Sequence, residues 1–166
     1  MQRIIILFGL VLIGVTSFAY NPKLEKKIKK ELNEVFDGCE LANCSLVETY
    51  TDSIQITTEI FMIKDDAAEQ LGYFAISQGE GRFEHFDFMI IYNRQKQIQK
   101  VKVLLYKSTY GYEIGNKRWL KQFNDKDVQS SLKYHEDIQA ISGATVSVRG
   151  LIKGVNRVNR ILADLP

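Results

Sequence analysis

The sequence is most informative about the fold at Phe83–Tyr106, which reads FEHFDFMIIYNRQKQIQKVKVLLY. Residues 83–92 are a long run of aromatic and β-branched side chains, whereas residues 98–106 alternate between apolar and polar ones. Both patterns are typical of β-strands, and the polar segment 93–95 (Asn-Arg-Gln) separates them. The sequence therefore predicts two strands joined by a turn.

Two further strands are predicted before this pair. Residues 53–63 alternate in part, and residues 71–76 form a short apolar run. Gly79-Glu80-Gly81 is predicted to be a hairpin turn. It is not a dinucleotide-binding fingerprint, because no third glycine opens a helix.

Helical patterns stand at both ends of the domain. Apolar residues recur every three or four positions in residues 21–36, where Pro22 suits the first helical position and Gly38 is a natural stop. The same spacing runs from Val148 to Leu165, and a short helix is predicted around Trp119. The predicted fold is an α+β domain, an antiparallel sheet packed by N-terminal and C-terminal helices.

Residues 1–19 have the pattern of an export signal. Arg3 precedes an apolar run over residues 4–15, and Ser17-Phe18-Ala19 supplies small residues at a cleavage position. The run is shorter than the roughly 20 residues of a membrane-spanning helix, although a retained N-terminal anchor is the alternative. We therefore expect a signal peptide over 1–19, one domain over 20–166, and a location in the periplasm or on the outer face of the cytoplasmic membrane, where the protein is membrane-associated.

Composition and residue types argue against several classes of function. The net charge of +2 gives no clustered basic excess, so we expect no nucleic-acid partner. His85 and His135 lie in no zinc-like cluster, so no metal site is predicted. Cys39 and Cys44 do not form Cys-x-x-Cys, and in an oxidising compartment a structural disulfide is expected, with free thiols as the alternative.

The candidate site is the turn Ser142-Gly143-Ala144-Thr145, with Ser147 two residues later. Small residues let a ligand approach the backbone closely, and the turn lies where the last helix must begin. Unpaired N–H groups, the positive end of the helix dipole and three hydroxyls together are typical of an anion site. An ordinary N-cap is the alternative, since it explains one or two of the hydroxyls.

The same residues resemble the flavinylation motif of the FMN-binding domain family. This family includes subunits of the sodium-translocating NADH:quinone reductase and of the Rnf electron-transport complexes. The strands before the motif are also similar to the family's, with Asp87 inside residues 83–92, and so are the loop 109–113 (Thr-Tyr-Gly-Tyr-Glu) and the segment 119–123 (Trp-Leu-Lys-Gln-Phe). The resemblance covers residues 71–165, the family-like core.

The resemblance implies a flavoprotein whose FMN is covalently joined through its phosphate to Thr145. A flavin transferase would take FMN from FAD, and a membrane-bound or exported redox partner would exchange electrons with it. Ser142 would cap the helix. The cofactor-binding residues that the resemblance implies are Thr145, Ser142, Gly143, Ala144, Ser147, Gly111, Tyr112, Glu113 and Trp119.

Departures from the family pattern leave three hypotheses. Family members usually carry an aspartate three residues before the motif, where this chain has Gln139, and Tyr110 and Tyr112 replace a proline and a glycine of the loop. We favour an exported electron-transfer domain, because no paired acid and base residues mark the pocket of an enzyme. An exported binding or scaffold domain without covalent flavin and a flavin-dependent reductase are the alternatives.

Overall fold

The computed structural model describes residues 21–166, so the predicted export signal lies outside the described part. Five strands form one sheet in the order β1-β2-β3-β4-β5, and each neighbouring pair is antiparallel. The strands are β1 Cys44–Thr51, β2 Thr57–Lys64, β3 Gln70–Glu80, β4 His85–Asn93 and β5 Ile98–Leu105. The α-helices are α1 Pro22–Asn33, α2 Lys117–Leu120 and α3 Thr145–Asp164, and single 3-10 turns lie at Leu41–Asn43, Tyr112–Gly115 and Lys121–Phe123. The α+β class is confirmed.

The two long helices cover opposite faces of the sheet. One hydrophobic cluster joins Leu32 of α1 to Met89 and Ile91, whereas the larger cluster joins α3 to Phe88 and Ile90. Successive side chains of a strand point to opposite faces, so β4 is buried on both sides. This is why residues 88–92 form an apolar run without alternation.

The structure differs from the predicted strands in several places. Residues 53–56, predicted to begin a strand, lie in the turn between β1 and β2. The sequence patterns do not mark β1, because most of its side chains are exposed and show no apolar alternation. The predicted turn at 79–81 is placed too early, since Gly79 and Glu80 belong to β3. Glycine is needed inside the strand because a Cβ at Gly79 would lie 2.5 Å from the ring of Phe86. The chain reverses at residues 81–84, where the Gly81 N–H donates to the Glu84 carbonyl at 3.0 Å.

The connection from α1 to β1 carries both cysteines. α1 ends at Asn33, three residues before the predicted end, and the chain turns through Gly38 at a φ of 72°. Cys39 and Cys44 are free thiols, so the predicted disulfide is not formed in the structure. Burial raises the pKa of Cys39, and it raises that of Cys44 to about 12. Neither thiol is therefore activated as a nucleophile.

Glu59 of β2 makes the stability of the domain depend on pH. It is 3% exposed, its Oε2 has no hydrogen-bond partner, and burial raises its pKa above the ordinary value of 4.5. The folded state therefore keeps this proton after the unfolded chain has lost it, so stability falls as the pH rises through the raised pKa. The loss is on the order of 1 kcal/mol for each unit by which the pKa is raised.

Urea unfolding of Glu59→Gln at pH 4 and pH 7 tests this expectation. Relative to the wild type, the variant gains stability as the pH rises, because its side chain has no proton to retain. Glu25→Gln, at an exposed position, is the control and leaves the pH dependence unchanged. If the difference in unfolding free energy between Glu59→Gln and the wild type is the same at pH 4 and pH 7, the expectation is contradicted.

Candidate functional site

The predicted motif forms a tight turn that leads directly into α3. The Ala144 N–H donates to the Ile141 carbonyl at 3.1 Å, and Gly143 adopts a φ of 82°, where glycine is favoured. Thr145 is the first residue of α3, and the Val148 N–H donates to the Ala144 carbonyl at 2.9 Å. The last helix therefore begins inside the motif.

The N-terminus of α3 has no side-chain cap. Ala144 holds the N-cap position, and no side chain accepts a hydrogen bond there. The prediction that Ser142 caps the helix is wrong, because the turn through Gly143 places Ser142 two residues before the cap. Uncapped first-turn N–H groups and the helix dipole leave partial positive charge for an anion. Thr145 is exposed at this end, so its hydroxyl is accessible to another protein.

Ser147, in contrast to Thr145, is buried and bonded inside the protein. Its Oγ lies 2.8 Å from the hydroxyl of Tyr106, and that hydroxyl donates to the Tyr110 carbonyl at 2.6 Å. A phenol has one hydrogen, so Ser147 is the donor to Tyr106. Ser147 therefore holds the loop after β5 against α3 and has no hydrogen left for a phosphate, which corrects its predicted role as a third anion-binding hydroxyl.

Gly111 lies where this loop meets the start of α3. It is buried with a φ of 80°, and a Cβ there would lie 2.9 Å from both Ser147 Oγ and the Tyr106 hydroxyl. Only glycine therefore fits between the loop and the helix. The same Cβ would lie 3.6 Å from the Ala144 Cα, so Gly111 contacts the motif itself.

A cleft of about 580 Å³ opens beside the motif. This volume lies within the usual range of small-molecule sites. Three of the predicted residues, Glu113, Trp119 and Ser142, line it together. Tyr112 does not line it and is 67% exposed. The other residues of its wall are Asn116, Arg118, Gln122, Ala140 and Ile141.

The segment before the motif is held by the cleft wall. The Trp119 Nε1–H donates to the Gln139 carbonyl at 2.9 Å, and the Gln139 N–H donates to Gln122 Oε1 at 2.8 Å. The Gln139 side chain is exposed. Asp137 accepts a hydrogen bond from the Lys133 N–H at 2.8 Å and closes a local turn. Asp137 is therefore engaged in its own turn and does not take the place of the family's aspartate.

Glu113 lines the cleft and has one carboxylate oxygen without a partner in the described part of the chain. Its Oε2 is buried and has no hydrogen-bond partner within residues 21–166. Arg118 lines the same cleft without forming an ion pair with any described acidic group. A buried polar atom without a partner costs about 1–3 kcal/mol.

An exposed aromatic pair lies next to the same loop. The rings of Phe83 and Tyr110 meet edge to face with centroids 5.8 Å apart, and the Arg82 guanidinium lies over both. Tyr110 is 61% exposed, so it does not pack on the sheet. Its ring therefore contacts the β3–β4 turn instead.

Sequence reasoning missed Asn116, Arg118 and Gln122. Asn116 has a readable signal, since an asparagine before a helical segment is a common N-cap. Its side chain indeed accepts hydrogen bonds from the N–H groups of Arg118 and Trp119, at 2.9 and 3.1 Å. Nothing in the sequence distinguishes Arg118 or Gln122 from ordinary surface residues.

Two kinds of feature are absent from residues 21–166. No helix in this range has the length and apolar character to cross a membrane. The same range holds no group of three or more histidine, cysteine, aspartate or glutamate side chains arranged to bind a metal ion.

Comparison with known proteins matches the site to a family. Residues 84–159 match the model of the FMN-binding domain family, and this segment includes the cleft, the turn and Thr145. The fold is similar to the crystal structure of Shewanella oneidensis NqrC, with a TM-score of 0.51 and 17% identity over 74% of this chain and 69% of that one. No curated protein sequence matches the chain significantly. The similarity to the FMN-binding domain family thus lies in residues 84–159, the part of the chain that holds the candidate site.

Proposed function

We propose that the protein is an exported electron-transfer domain that carries FMN through a phosphoester to Thr145. The position of Thr145 carries the proposal. It is the exposed first residue of an uncapped helix, and it closes the family's motif beside the cleft. The exported location is supported by the signal-like pattern of residues 1–19.

The residues of the site fit FMN. The uncapped start of α3 suits a phosphate, and the exposed Thr145 hydroxyl suits its attachment. The cleft beside Ser142 offers an aromatic surface at Trp119. When bound, the flavin supplies the transfer of electrons, and the protein supplies its position and electrostatic surroundings.

The attachment transfers the FMN phosphoryl group from the pyrophosphate of FAD to Thr145. Thr145 Oγ1 forms a bond to the phosphorus on the FMN side, the bond from that phosphorus to the bridging oxygen breaks, and AMP leaves. The hydroxyl proton passes to a base of the transferase, whose metal ion activates the otherwise weak nucleophile. The resulting phosphodiester keeps one negative charge beside the positive end of α3.

The protein holds both walls of the site in place. Ser147 and Tyr106 fix the loop after β5 to α3, and Trp119 fixes the segment before the motif through Gln139. These hydrogen bonds would therefore give FMN a site whose walls are already held in place. We expect the redox partner to be bound to the membrane or exported, as the resemblance to membrane-complex subunits supports.

Co-expression with a flavin transferase tests the attachment. The purified full chain is denatured, and retained flavin fluorescence and an FMN-sized mass increase are measured. We expect the wild type to retain flavin and Thr145→Ala to retain none, because the alanine has no oxygen to form the ester. Thr49→Ala, at an exposed threonine of β1, is the matched control and keeps the flavin. If Thr145→Ala retains flavin in full, the assignment of Thr145 as the attachment site is wrong.

Gln139 favours one alternative function, a binding or scaffold domain without covalent flavin. Its exposed side chain occupies the position at which family members usually carry an aspartate. A wild type that stays unmodified beside an active transferase, while Gln139→Asp accepts FMN, supports this alternative. Equal modification of both proteins supports the electron-transfer domain.

A further inference from the structure

A row of cations follows the exposed face of α3 beyond the motif. Arg149, Lys153 and Arg160 are exposed and recur at spacings of four and seven residues, which places them on one face of the helix. We propose that this row is the docking site for an acidic segment of a partner protein. The inference goes beyond the proposed function, because it requires no flavin on the protein.

The row lines a groove whose shape is held by the protein. The groove has a volume of about 440 Å³, and Tyr134 is the one residue of its lining that lies outside α3. Asn156 joins this neighbouring segment to the helix, since it accepts a hydrogen bond from the Leu132 N–H and donates one to the Leu132 carbonyl, both at 2.9 Å. The Arg149 guanidinium lies over the Tyr134 ring, 4.8 Å from its centroid, and is thereby kept at the groove.

The lining of the groove carries four cations and no acidic residue. Lys153 and Arg157 each pair with one carboxylate that does not line the groove. Arg149 and Arg160 form no ion pair with a residue of the described range. Burial lowers the pKa of Arg157, and the nearby charge of Arg160 lowers it further. The groove therefore keeps an uncompensated positive charge, which favours anionic groups.

The length and shape of the groove select the kind of anion. From Arg149 to Arg160 the helix rises about 16 Å, or about three turns. A free phosphate is too small to reach cations on all of these turns, and a membrane surface is too flat to follow a groove. A protein segment with several acidic side chains fits both features, because about five extended residues span the same length. Ion pairs of this kind give a complex its specificity and its rate of association.

The row begins close to the proposed attachment site. Arg149 lies about one turn after Thr145 on the same helix. A partner docked along the row therefore has one end next to the start of α3. This is also where a protein that exchanges electrons with FMN at Thr145 must bind.

Binding of fluorescein-labelled hexaglutamate to the flavin-free full chain tests the proposal. Affinity is measured by fluorescence anisotropy at low ionic strength, with labelled hexaserine as the neutral peptide that should not bind. We expect the double variant Arg149→Gln/Arg160→Gln to bind hexaglutamate about fivefold more weakly, as for the loss of two exposed ion pairs.

Lys23→Gln/Lys26→Gln is the matched control. It removes the same amount of charge from two exposed lysines of α1 that form no ion pair within the described residues, so it should keep the wild-type affinity. Equal weakening by both double variants would mean that binding follows net charge alone, and it overturns the proposal.

Two other ligands would also overturn the proposal. Inorganic phosphate that displaces the peptide at an ionic strength where sodium chloride does not would mark a site for a small anion. Weaker sedimentation of Arg149→Gln/Arg160→Gln with phosphatidylglycerol vesicles, together with unchanged peptide binding, would assign the row to a membrane surface. Because the protein carries no flavin in these measurements, a failure of attachment at Thr145 does not affect their outcome.

Discussion

Gly150→Ala is expected to destabilise the domain strongly. A Cβ at this position would lie 1.9 Å from the carbonyl oxygen of Glu80 and 2.8 Å from its nitrogen. These are backbone atoms of β3, so they cannot rotate away, and the helix must lift from the sheet. Overpacking in a core costs about 1–3 kcal/mol and occasionally more, and we expect a loss at or above the upper end of that range.

Urea unfolding followed by circular dichroism measures this loss. Gly115→Ala is the matched control, because a Cβ there meets nothing within 4 Å and the loss should stay near zero. Lifting the first half of α3 also displaces Thr145, so we expect Gly150→Ala to accept less FMN in the attachment experiment. Wild-type stability in Gly150→Ala would show that α3 does not lie this close to β3.

Arg157→Ala is expected to cost about 3–5 kcal/mol, the range for breaking one side of a buried ion pair. Arg157 is 6% exposed, and its guanidinium bonds Asp52 Oδ2 at 3.2 Å, Ser77 Oγ at 3.1 Å and the Gln78 carbonyl at 2.6 Å. It thereby joins α3 to β3 and to the β1–β2 turn. Its removal leaves the carboxylate of Asp52 largely buried and without its cation.

Thermal and urea unfolding of single and double variants check this expectation. Arg160→Ala is the control, because that side chain is exposed on the same helix and forms no ion pair with a described residue. The double variant Arg157→Ala with Asp52→Asn should lose less stability than the sum of the two single-variant losses, because both substitutions remove the same interaction. Strict additivity would mean that the two side chains do not stabilise each other.

Much of the fold could be predicted because its signals are local. The run in β4, the alternation in β5 and the spacing of α3 each reflect burial that the chain shows in its own periodicity. β1 lacks this signal because it lies at an edge of the sheet with most side chains exposed. The residue type of Gly79 predicts a turn. In the structure Gly79 lies inside β3, and glycine is needed there because a side chain would meet the ring of Phe86.

The candidate site was predictable in its motif but not in its contacts. Small residues before a helical pattern are enough to locate the turn and the start of α3. The hydrogen bond from Ser147 to Tyr106 joins residues 41 positions apart, and no local pattern reports it. The same holds for the pairing of Trp119 with Gln139 and for the missing partner of Glu113, which depend on how distant loops meet.

The sequential order of the strands has a consequence for when the protein can be modified. Each strand pairs with the strand next to it in the chain, and α3 follows all five strands in sequence. Gly150 and Gly154 of α3 rest on β3, so α3 and the turn before it are in place only when the sheet has formed. A transferase that acts on Thr145 in its folded turn would thus receive only molecules whose sheet has already formed, so that maturation also serves as a check on folding.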